Sequence, residues 1–496
     1  MTNKLQKYRD YYKKIVKFSE IQSVLHWDYE VMMPKDAAEN RSEQISLLAK
    51  MHHDMFVSEE FTRLIDDAKN EVIQKNPPDK EILLREFQIL KKDRDRALKI
   101  PTDLVENFSK QTSISHQVWA NARKNNNFKE FEPNLTQIVD LIKEMGELYG
   151  YEEERYDSLL EEYETKTTAK DLELLFHSLK KSLVVLIEKS KTYPNPFKKT
   201  VSESLQKSFN EILPEYLGLP NSRSRLDISE HPFSTSLGKM DKRITTRYDE
   251  ANPLSSIFGV LHETGHSLYE LGLGEMNDFP TPLTSSVSLG LHESQSRLWE
   301  NQIGRSREFW EFFYPKMLSR FQLTSKDIDL QGLIDYLHST EKTKIRVEAD
   351  GLTYNLHIIL RFEIERELIS RNLKIKDIPE LWNSKMKEYF GLRIENDSEG
   401  VLQDVHWSGG AFGYFPTYTL GNIYSAQLFF FFAKNHPNFL GSVSKSGDFS
   451  ILLNWLKEKI HLQGRIFDPK ELIFQATGEF PNSKYLLNYL EYDFLK

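Results

Sequence analysis

The sequence predicts a mainly α fold in one domain, and three observations support this. Most of the chain repeats apolar residues with helical periodicity, and short loops containing Pro, Gly or Asn separate the periodic segments. The composition is 39% hydrophobic and 28% charged, which suits long amphipathic helices with solvated outer faces. Neither an internal repeat nor a flexible linker is found. Residues 1–496 are therefore predicted to form a single domain, built as one unit or as two helical lobes around a cleft.

Residues 224–250 are the exception to the helical pattern. From residue 225 the chain reads RLDISEHPFSTSLGKMDKRITTRY, in which β-branched and polar residues nearly alternate around Gly238. This alternation predicts a small β-sheet of two or three short strands. The sheet would come directly before the helix with the most informative motif of the chain.

Charge and composition exclude several classes of partner and site. The net charge of −9 argues against a nucleic acid or an anionic membrane, whose contacts need clustered Lys and Arg. The absence of cysteine excludes disulfides and thiolate metal sites, which leaves His and carboxylates as strong ligands. The longest apolar run, at residues 428–433, is much shorter than the roughly 18 residues of a membrane span. The N-terminus lacks the apolar core of a signal peptide, so a soluble, cytoplasmic protein is expected.

The motif HETGH at residues 262–266 indicates a metal site. His262 and His266 are four residues apart, so on a helix both imidazoles lie on one face, close enough to bind one ion. Asn252 fits an N-cap and Pro253 the first helical position, while glycines at 272 and 274 can end the helix. Glu263, beside the first histidine, is the candidate general base that activates a zinc-bound water.

A third ligand has to come from another helix. Glu270 lies eight residues beyond His262, or about 12 Å along the helix axis, too far to share the ion. Glu293 in LGLHESQSRLWEN is the best candidate, and its neighbour His292 points about 100° away around that helix. Three protein ligands and one open position are typical of a hydrolytic zinc site.

Each of these residues has a simpler explanation when it is taken alone. A single histidine is more often a hydrogen-bonded core residue than a ligand, and Glu293 can pair with Arg297 one turn later. The combination of an HExxH motif in a well-bounded helix with a carboxylate on a second helix favours the metal site.

Seven ordered motifs resemble the carboxypeptidase Taq family of zinc metallocarboxypeptidases and span nearly the whole chain. They are HWDYEVMMP at 26–34, HPF at 231–233, DKRIT at 241–245, HETGH at 262–266, HESQ at 292–295, IRVEAD at 345–350 and GVLQDVHW at 400–407. No motif departs from the family pattern at a signature position.

The resemblance implies one catalytic domain with a mainly helical metallopeptidase fold, a deep substrate groove and a homodimer. It implies one zinc ion per chain at His262, His266 and Glu293, with Glu263 catalytic, and cobalt or another divalent ion as a substitute. The implied reaction removes C-terminal residues from peptides with broad preference and poor action on proline. The small sheet beside the HExxH helix suits this reaction, because an edge strand can hold the backbone of a peptide.

The remaining motifs supply candidate substrate contacts. Arg346 is the first choice for the terminal carboxylate of the peptide, since a guanidinium can bind it through two parallel hydrogen bonds, and Arg243 is the second. For either arginine the alternative is an ordinary salt bridge. His231 of the HPF motif is a third candidate contact. The full set of candidate substrate-binding residues is Arg346, Arg243, His231, Gln403 and Asp404.

The tetrahedral intermediate needs a hydrogen-bond donor besides the metal, and His406 or Tyr418 could provide one. Tyr418 could equally be a core residue. Gln403 and Asp404 either orient His406 or cap a turn, and Trp407 is interpreted as packing.

Two other functions compete with the carboxypeptidase hypothesis. A zinc aminopeptidase or endopeptidase would share the metal site but would need a different recognition of the substrate end, for which no motif is found. A silent helical scaffold that keeps the metal for stability would have no need of Glu263.

Overall fold

The prediction of a mainly helical fold is confirmed. The computed structural model describes residues 3–276 and 279–495. Helices make up 69% of these described residues and strands 3%. Within the described residues, no helix is both long and apolar enough to cross a membrane. The single-domain organisation stays a prediction.

The helices are numbered α1 to α21 and the strands β1 to β3 in chain order. The first ten helices precede the sheet: α1 Lys4–Val31, α2 Ala38–Val57, α3 Glu59–Lys75, α4 Lys80–Lys99, α5 Thr102–Lys124, α6 Phe128–Tyr149, α7 Arg155–Tyr163, α8 Ala169–Lys189, α9 Glu203–Asn210 and α10 Leu213–Leu217. The other eleven follow it: α11 Pro253–Gly274, α12 Leu289–Arg297, α13 Arg307–Phe321, α14 Leu330–Leu337, α15 Tyr354–Ser370, α16 Ile378–Phe390, α17 Pro416–Asn435, α18 Phe439–Ser446, α19 Ser450–Lys459, α20 Pro469–Thr477 and α21 Lys484–Phe494.

The strands β1 Ser224–Ile228, β2 Ser234–Gly238 and β3 Asp241–Thr246 form the sheet predicted for residues 224–250. β3 lies in the middle, parallel to β1 and antiparallel to β2. The sheet packs against α11, and the hydroxyl oxygens of Ser234 on β2 and Ser267 on α11 lie 2.9 Å apart. The sheet is therefore fixed beside the helix that carries the HETGH motif.

Helix α11 has the bounds that the sequence predicts. It begins at Pro253 after Asn252 and ends at Gly274, although the Asn252 side chain makes no capping hydrogen bond within the described residues. Buried residues surround α11 on nearly all sides, so it is a core helix rather than a surface helix with one apolar face.

Two glycines allow the helices of the candidate site to approach closely. A Cβ at Gly265 on α11 would lie 2.6 Å from the carbonyl oxygen of Gln295 and 2.6 Å from Cα of Ser296 on α12. A Cβ at Gly421 on α17 would overlap the side chain of Glu293, at 2.7 Å from its Cβ. Helix α12 is thus held between α11 and α17 at near-backbone contact.

Most buried apolar residues of the described ranges form two clusters. The larger one runs from α5 to α21 and surrounds α11 and α12. The smaller one joins α1, α3 and α4 through Tyr8, Phe61, Val72 and Phe87 among others. The candidate site described below belongs to the larger cluster.

Gly265→Ala should destabilise the protein, because its methyl group would meet backbone atoms of α12 that cannot rotate away. Overpacking of this kind costs about 1–3 kcal/mol. The matched control is Gly441→Ala in α18, where a Cβ would meet nothing within 4 Å. The control should gain up to about 1 kcal/mol from helix propensity. Thermal unfolding of both variants measures the difference, and a Gly265→Ala protein as stable as the parent would refute the close packing.

Candidate metal centre and substrate site

Three side chains from α11 and α12 converge on one point. The Nε2 atoms of His262 and His266 lie 3.7 and 3.6 Å from Oε2 of Glu293. One ligand atom of each of the three residues lies within 4.8 Å of the others. Donors about 2.0–2.2 Å from a tetrahedral zinc ion are about 3.4 Å apart, close to the observed spacing. The structure therefore brings the three predicted ligands together.

His262 is oriented by a carboxylate on its far side. Its Nδ1 lies 2.9 Å from Oε2 of Glu300, in the π-helical segment Leu298–Ile303 that follows α12. Burial lowers the pKa of His262, but the neighbouring Glu293 and Glu300 outweigh it and hold that pKa above its usual value. With Nδ1 occupied, Nε2 is the atom left to face Glu293.

His266 is oriented by another imidazole. Its Nδ1 lies 2.6 Å from Nδ1 of His292, and Nε2 of His292 lies 3.0 Å from Oε1 of Glu270. Burial, together with the nearby His292 and His262, lowers the pKa of His266 well below its usual value. His292 and Glu270 therefore stand behind His266 and outside the group of three donors.

Glu293 uses its two oxygens for different partners. Oε1 accepts a hydrogen bond from Nε of Arg297 at 2.6 Å, while Oε2 faces the two histidines. Arg297 also donates to Glu300 at 3.1 Å. The Glu293–Arg297 pair and the convergence with the histidines are thus both present, so the two interpretations of Glu293 from sequence are compatible.

The chemistry of these donors fits a divalent cation. Both histidines have Nδ1 engaged, which leaves Nε2 as the free donor atom of each ring. The distances of 3.6 and 3.7 Å from the Nε2 atoms to Glu293 are too long for hydrogen bonds. A borderline cation such as zinc accepts two imidazole nitrogens and one carboxylate oxygen as ligands.

Glu263 is buried beside this group. Its pKa is raised to about 7, mainly by burial; Glu293 and Glu300 contribute to the rise, while His262 opposes it. A carboxyl group with a pKa in this range can exchange a proton near neutral pH. The side chain therefore has the property that a general base requires.

Arg346 lies in a buried cluster that the sequence only partly revealed. Its Nε and one terminal nitrogen lie 2.9 Å from Oδ1 of Asp404, and the other terminal nitrogen lies 3.2 Å from the hydroxyl of Tyr354. Arg361 on α15 binds the other Asp404 oxygen, with its Nε at 2.7 Å. Burial lowers the pKa of Arg346, but Tyr354 and Asp404 outweigh it and raise that pKa above its usual value.

Gln403 and Asp404 hold two arginines. Oε1 of Gln403 accepts hydrogen bonds at 2.8 Å from the backbone N–H of Arg346 and from the guanidinium of Arg361. Both side chains are engaged by the arginines, and Asp404 also lies close enough to His406 to act on its pKa. Their role in orienting His406 stays a prediction.

His406 and Tyr418 lie together at this cluster. The hydroxyl of Tyr418 is 3.5 Å from Nε2 of His406, and its ring lies 5.4 Å from the guanidinium of Arg346. Burial lowers the pKa of His406 to about 4, and burial with the neighbouring Tyr414 raises the pKa of Tyr418 well above its usual value. Both side chains are therefore uncharged at neutral pH.

Arg243 and His231 lie at the sheet. Arg243 on β3 donates two hydrogen bonds to Asp241, at 2.5 and 2.8 Å, and its guanidinium stacks over the ring of Trp27 on α1 at 4.8 Å. The side chain of His231 is exposed in the loop between β1 and β2. Arg243 thus has the salt bridge of its simpler interpretation, made within its own strand.

Trp407 is a packing residue, as interpreted from sequence. It is buried, and its indole N–H donates to the buried Glu365 at 2.8 Å. Glu365 also accepts a hydrogen bond from the backbone N–H of Gly413 at 3.0 Å, and this bond fixes the segment after His406. Sequence reasoning missed Glu300, Tyr354, Arg361 and Glu365, since an acidic or basic residue within a helical pattern resembles a solvated surface residue and a lone tyrosine resembles a core residue. Only the spacing of seven residues between Glu293 and Glu300 hinted at a shared helix face.

The chain matches a family model over nearly its full length. Residues 7–494 match the family described as carboxypeptidase Taq (M32) metallopeptidase. The thermostable carboxypeptidase 1 of Pyrococcus furiosus is 39% identical over 98% of this chain and 97% of its own. Carboxypeptidase 1 of Bacillus subtilis is 36% identical over 97% of this chain and 96% of its own.

Solved structures of similar proteins share the fold. A Pyrococcus furiosus carboxypeptidase superposes with a TM-score of 0.94 at 37% identity, over 100% of this chain and 99% of the other. The M32 carboxypeptidase of Deinococcus radiodurans R1 has a TM-score of 0.94 at 32% identity, over 99% and 98% of the two chains. The resemblance inferred from the seven motifs is confirmed, and the enzyme class is that of peptide hydrolases. The chain belongs to the carboxypeptidase Taq (M32) family of metallopeptidases.

Proposed function

We propose that this metallocarboxypeptidase is zinc-dependent and removes C-terminal amino acids from peptides, with Glu263 as its general base. The observation that carries the proposal is the convergence of His262, His266 and Glu293 on one point beside Glu263. Broad preference for the released residue and poor action on proline follow from the family resemblance. One zinc ion is bound per chain, and cobalt or another divalent ion can replace it.

His262 and His266 would bind the ion through Nε2, and Glu293 through Oε2. A bound zinc ion supplies a Lewis acid for the scissile carbonyl group and lowers the pKa of water to about 7. Arg297 holds the second oxygen of Glu293, which favours binding through one oxygen and leaves a position open for substrate.

Glu263 accepts the proton of the attacking water and then delivers it to the leaving amine. Its pKa is raised to about 7, mainly by burial, and a bound cation would lower it again. The carboxylate would then be ionised before the reaction and could hold a proton during it. Glu263 follows His262 directly in α11, so the helix holds the base at a fixed place relative to this proposed ligand.

Arg346 binds the terminal carboxylate of the substrate. Asp404 is shared by two arginines, so Arg346, Arg361 and Asp404 together keep one net positive charge. Buried unneutralised charge attracts an anionic partner strongly because water does not screen it. Gln403 and Asp404 position Arg346, while Arg243 and His231 are further contacts along the sheet side of the substrate.

His406 or Tyr418 donates a hydrogen bond to the oxyanion of the tetrahedral intermediate. Both are uncharged at neutral pH, so a neutral imidazole N–H or a phenol O–H can act as the donor. Both lie beside Arg346, which places them next to the proposed end of the substrate.

We also propose a homodimer, on the family resemblance. Light scattering at micromolar concentration should then give twice the chain mass of 58.3 kDa. A mass of one chain under these conditions would contradict the dimer.

Glu263→Gln should keep the metal and the fold but lose the proton acceptor. Turnover should fall at least about a hundredfold, the lower range for a general base. The matched control is Glu275→Gln after the C-terminus of α11, where the side chain pairs with Lys457 at the surface. The measurements are kcat on a short peptide and the zinc content of each protein. Near-normal turnover in Glu263→Gln would exclude it as the base.

A peptide with an amidated C-terminus should hardly be cleaved, because Arg346 loses its charged partner. Truncating one member of a buried charge pair costs about 2–5 kcal/mol. Arg346→Ala should lower kcat/KM for the free-acid peptide. It should lower kcat/KM for the amidated peptide much less, since amidation has already removed the contact between Arg346 and the carboxylate.

Measuring kcat/KM of Arg243→Ala on the same free and amidated peptides identifies which arginine binds the terminal carboxylate. Arg225→Ala is the matched control, because Arg225 pairs with Arg243 in register and also stacks over Trp27. Mass spectrometry of a digestion time course shows which end of the peptide shortens. Equal cleavage of free and amidated peptides, or release of the N-terminal residue first, would favour an endopeptidase or an aminopeptidase instead.

A further inference from the structure

The two histidines proposed as metal ligands are held by partners of different chemistry. His262 contacts a carboxylate directly, with 2.9 Å between Nδ1 and Oε2 of Glu300. His266 contacts the imidazole of His292, with 2.6 Å between the two Nδ1 atoms, and the carboxylate of Glu270 comes only after that ring. An imidazole can donate or accept at either nitrogen, so the second arrangement needs a defined proton order.

The proton order follows from the role of His266. A metal ligand uses the lone pair of Nε2, so the proton of neutral His266 has to be on Nδ1. That proton is donated to Nδ1 of His292, which must then carry a lone pair. The proton of His292 is consequently on Nε2, where it is donated to Oε1 of Glu270 at 3.0 Å. Each hydrogen bond in the series His266–His292–Glu270 then has one donor and one acceptor.

The surroundings of Glu270 favour its ionised form as the final acceptor. Burial raises the pKa of Glu270, but its bond to His292 and the charge of Lys242 outweigh this and lower that pKa. Lys242 is a buried lysine on β3 whose ammonium group donates to the hydroxyl of Ser236 at 2.6 Å and to the carbonyl of Gly238 at 2.9 Å. The sheet therefore places the ammonium group of Lys242 near Glu270, the last member of the hydrogen-bonded series from His266 through His292.

Packing fixes His292 in this arrangement. Its ring lies 4.5 Å from the ring of His266 and 5.4 Å from that of Tyr269, measured between centroids. Glu270 and His266 are one turn apart on α11, so His292 from α12 bridges two successive positions of one helix face.

We propose that His292, with Glu270 behind it, is the positioning residue that selects the tautomer and ring orientation of His266 and so sets the affinity for the metal ion. The proposal rests on the proposed metal site. Outer partners of ligating histidines typically change metal affinity by about 10–100-fold when they are replaced.

The test is competition between the protein and a chelator for zinc alone, which needs no activity. His292→Phe keeps a ring of similar size but removes the imidazole acceptor from Nδ1–H of His266 and leaves only the backbone of residue 292 beside it, so the Kd for zinc should rise at least about tenfold. Glu270→Gln keeps an amide oxygen for Nε2–H of His292 and loses only the charge, so its Kd should rise by a smaller factor. The d–d absorption bands of the cobalt-loaded protein should shift in His292→Phe.

The double variant separates positioning from general damage. Because Glu270 acts through His292, Glu270→Gln should add little to the zinc Kd once His292 is Phe. Glu275→Gln is the matched control, with the same chemical change at the surface beyond α11, and its Kd should stay within about twofold of the parent value. Thermal unfolding of the metal-free proteins checks that each variant folds, and Glu270→Gln keeps the test available if His292→Phe does not.

The outcomes distinguish a failure of the metal site from a failure of the role of His292. A parent protein that binds no zinc would overturn the metal site itself. A parent that binds zinc, with Kd values for His292→Phe and Glu270→Gln within about twofold of it, would leave the metal site standing and overturn the role of His292. Additive effects in the double variant, or an equal effect of Glu275→Gln, would also overturn that role.

Discussion

The close approach of α11 and α12 is the constraint on which the rest of the site depends. Glu293 can face both His262 and His266 only because Gly265 lets the backbones of the two helices come into contact. Gly421 presses α17 against the side chain of Glu293 from the other side. Close-packed interiors resist displacement of even one methylene group, so packing defines the spacing of the three donors before any ion binds. The helix pair therefore holds the three donors at their spacing in the absence of an ion.

Buried charged residues connect α11 and α12 to the proposed carboxylate site. Arg297 binds Glu293 and Glu300, and its guanidinium lies 4.9 Å from the ring of Tyr354. Tyr354 in turn accepts a hydrogen bond from Arg346 at 3.2 Å. Buried ion pairs contribute little net stability against apolar replacements, but they fix geometry where apolar contacts would allow several packings. A displacement of Arg297 would accordingly affect both ends of the site.

The sequence predicted the elements of this site better than their mutual contacts. The HETGH spacing, the glycines after it and the alternation around Gly238 predicted α11 and the sheet, because these are local signals. The choice of Glu293 came from coordination chemistry, and the structure brings it to both histidines. The partners of Arg346 were not predictable, because Asp404 is distant in the chain and Tyr354, although only eight residues away, carries no local signature. Likewise, the sequence placed His292 away from the ion but could not show that it stands behind His266.

Anomalous diffraction at the zinc absorption edge, on crystals of the zinc-loaded protein, shows whether the three donors of α11 and α12 bind one ion. We expect one strong peak per chain, about 2.0–2.2 Å from Nε2 of His262, Nε2 of His266 and Oε2 of Glu293. His292 and Glu270 should lie outside the coordination sphere, with the hydrogen bonds of the histidine chain intact. A peak elsewhere, or one in which His292 or Glu270 replaces any of the three ligands, would contradict the account.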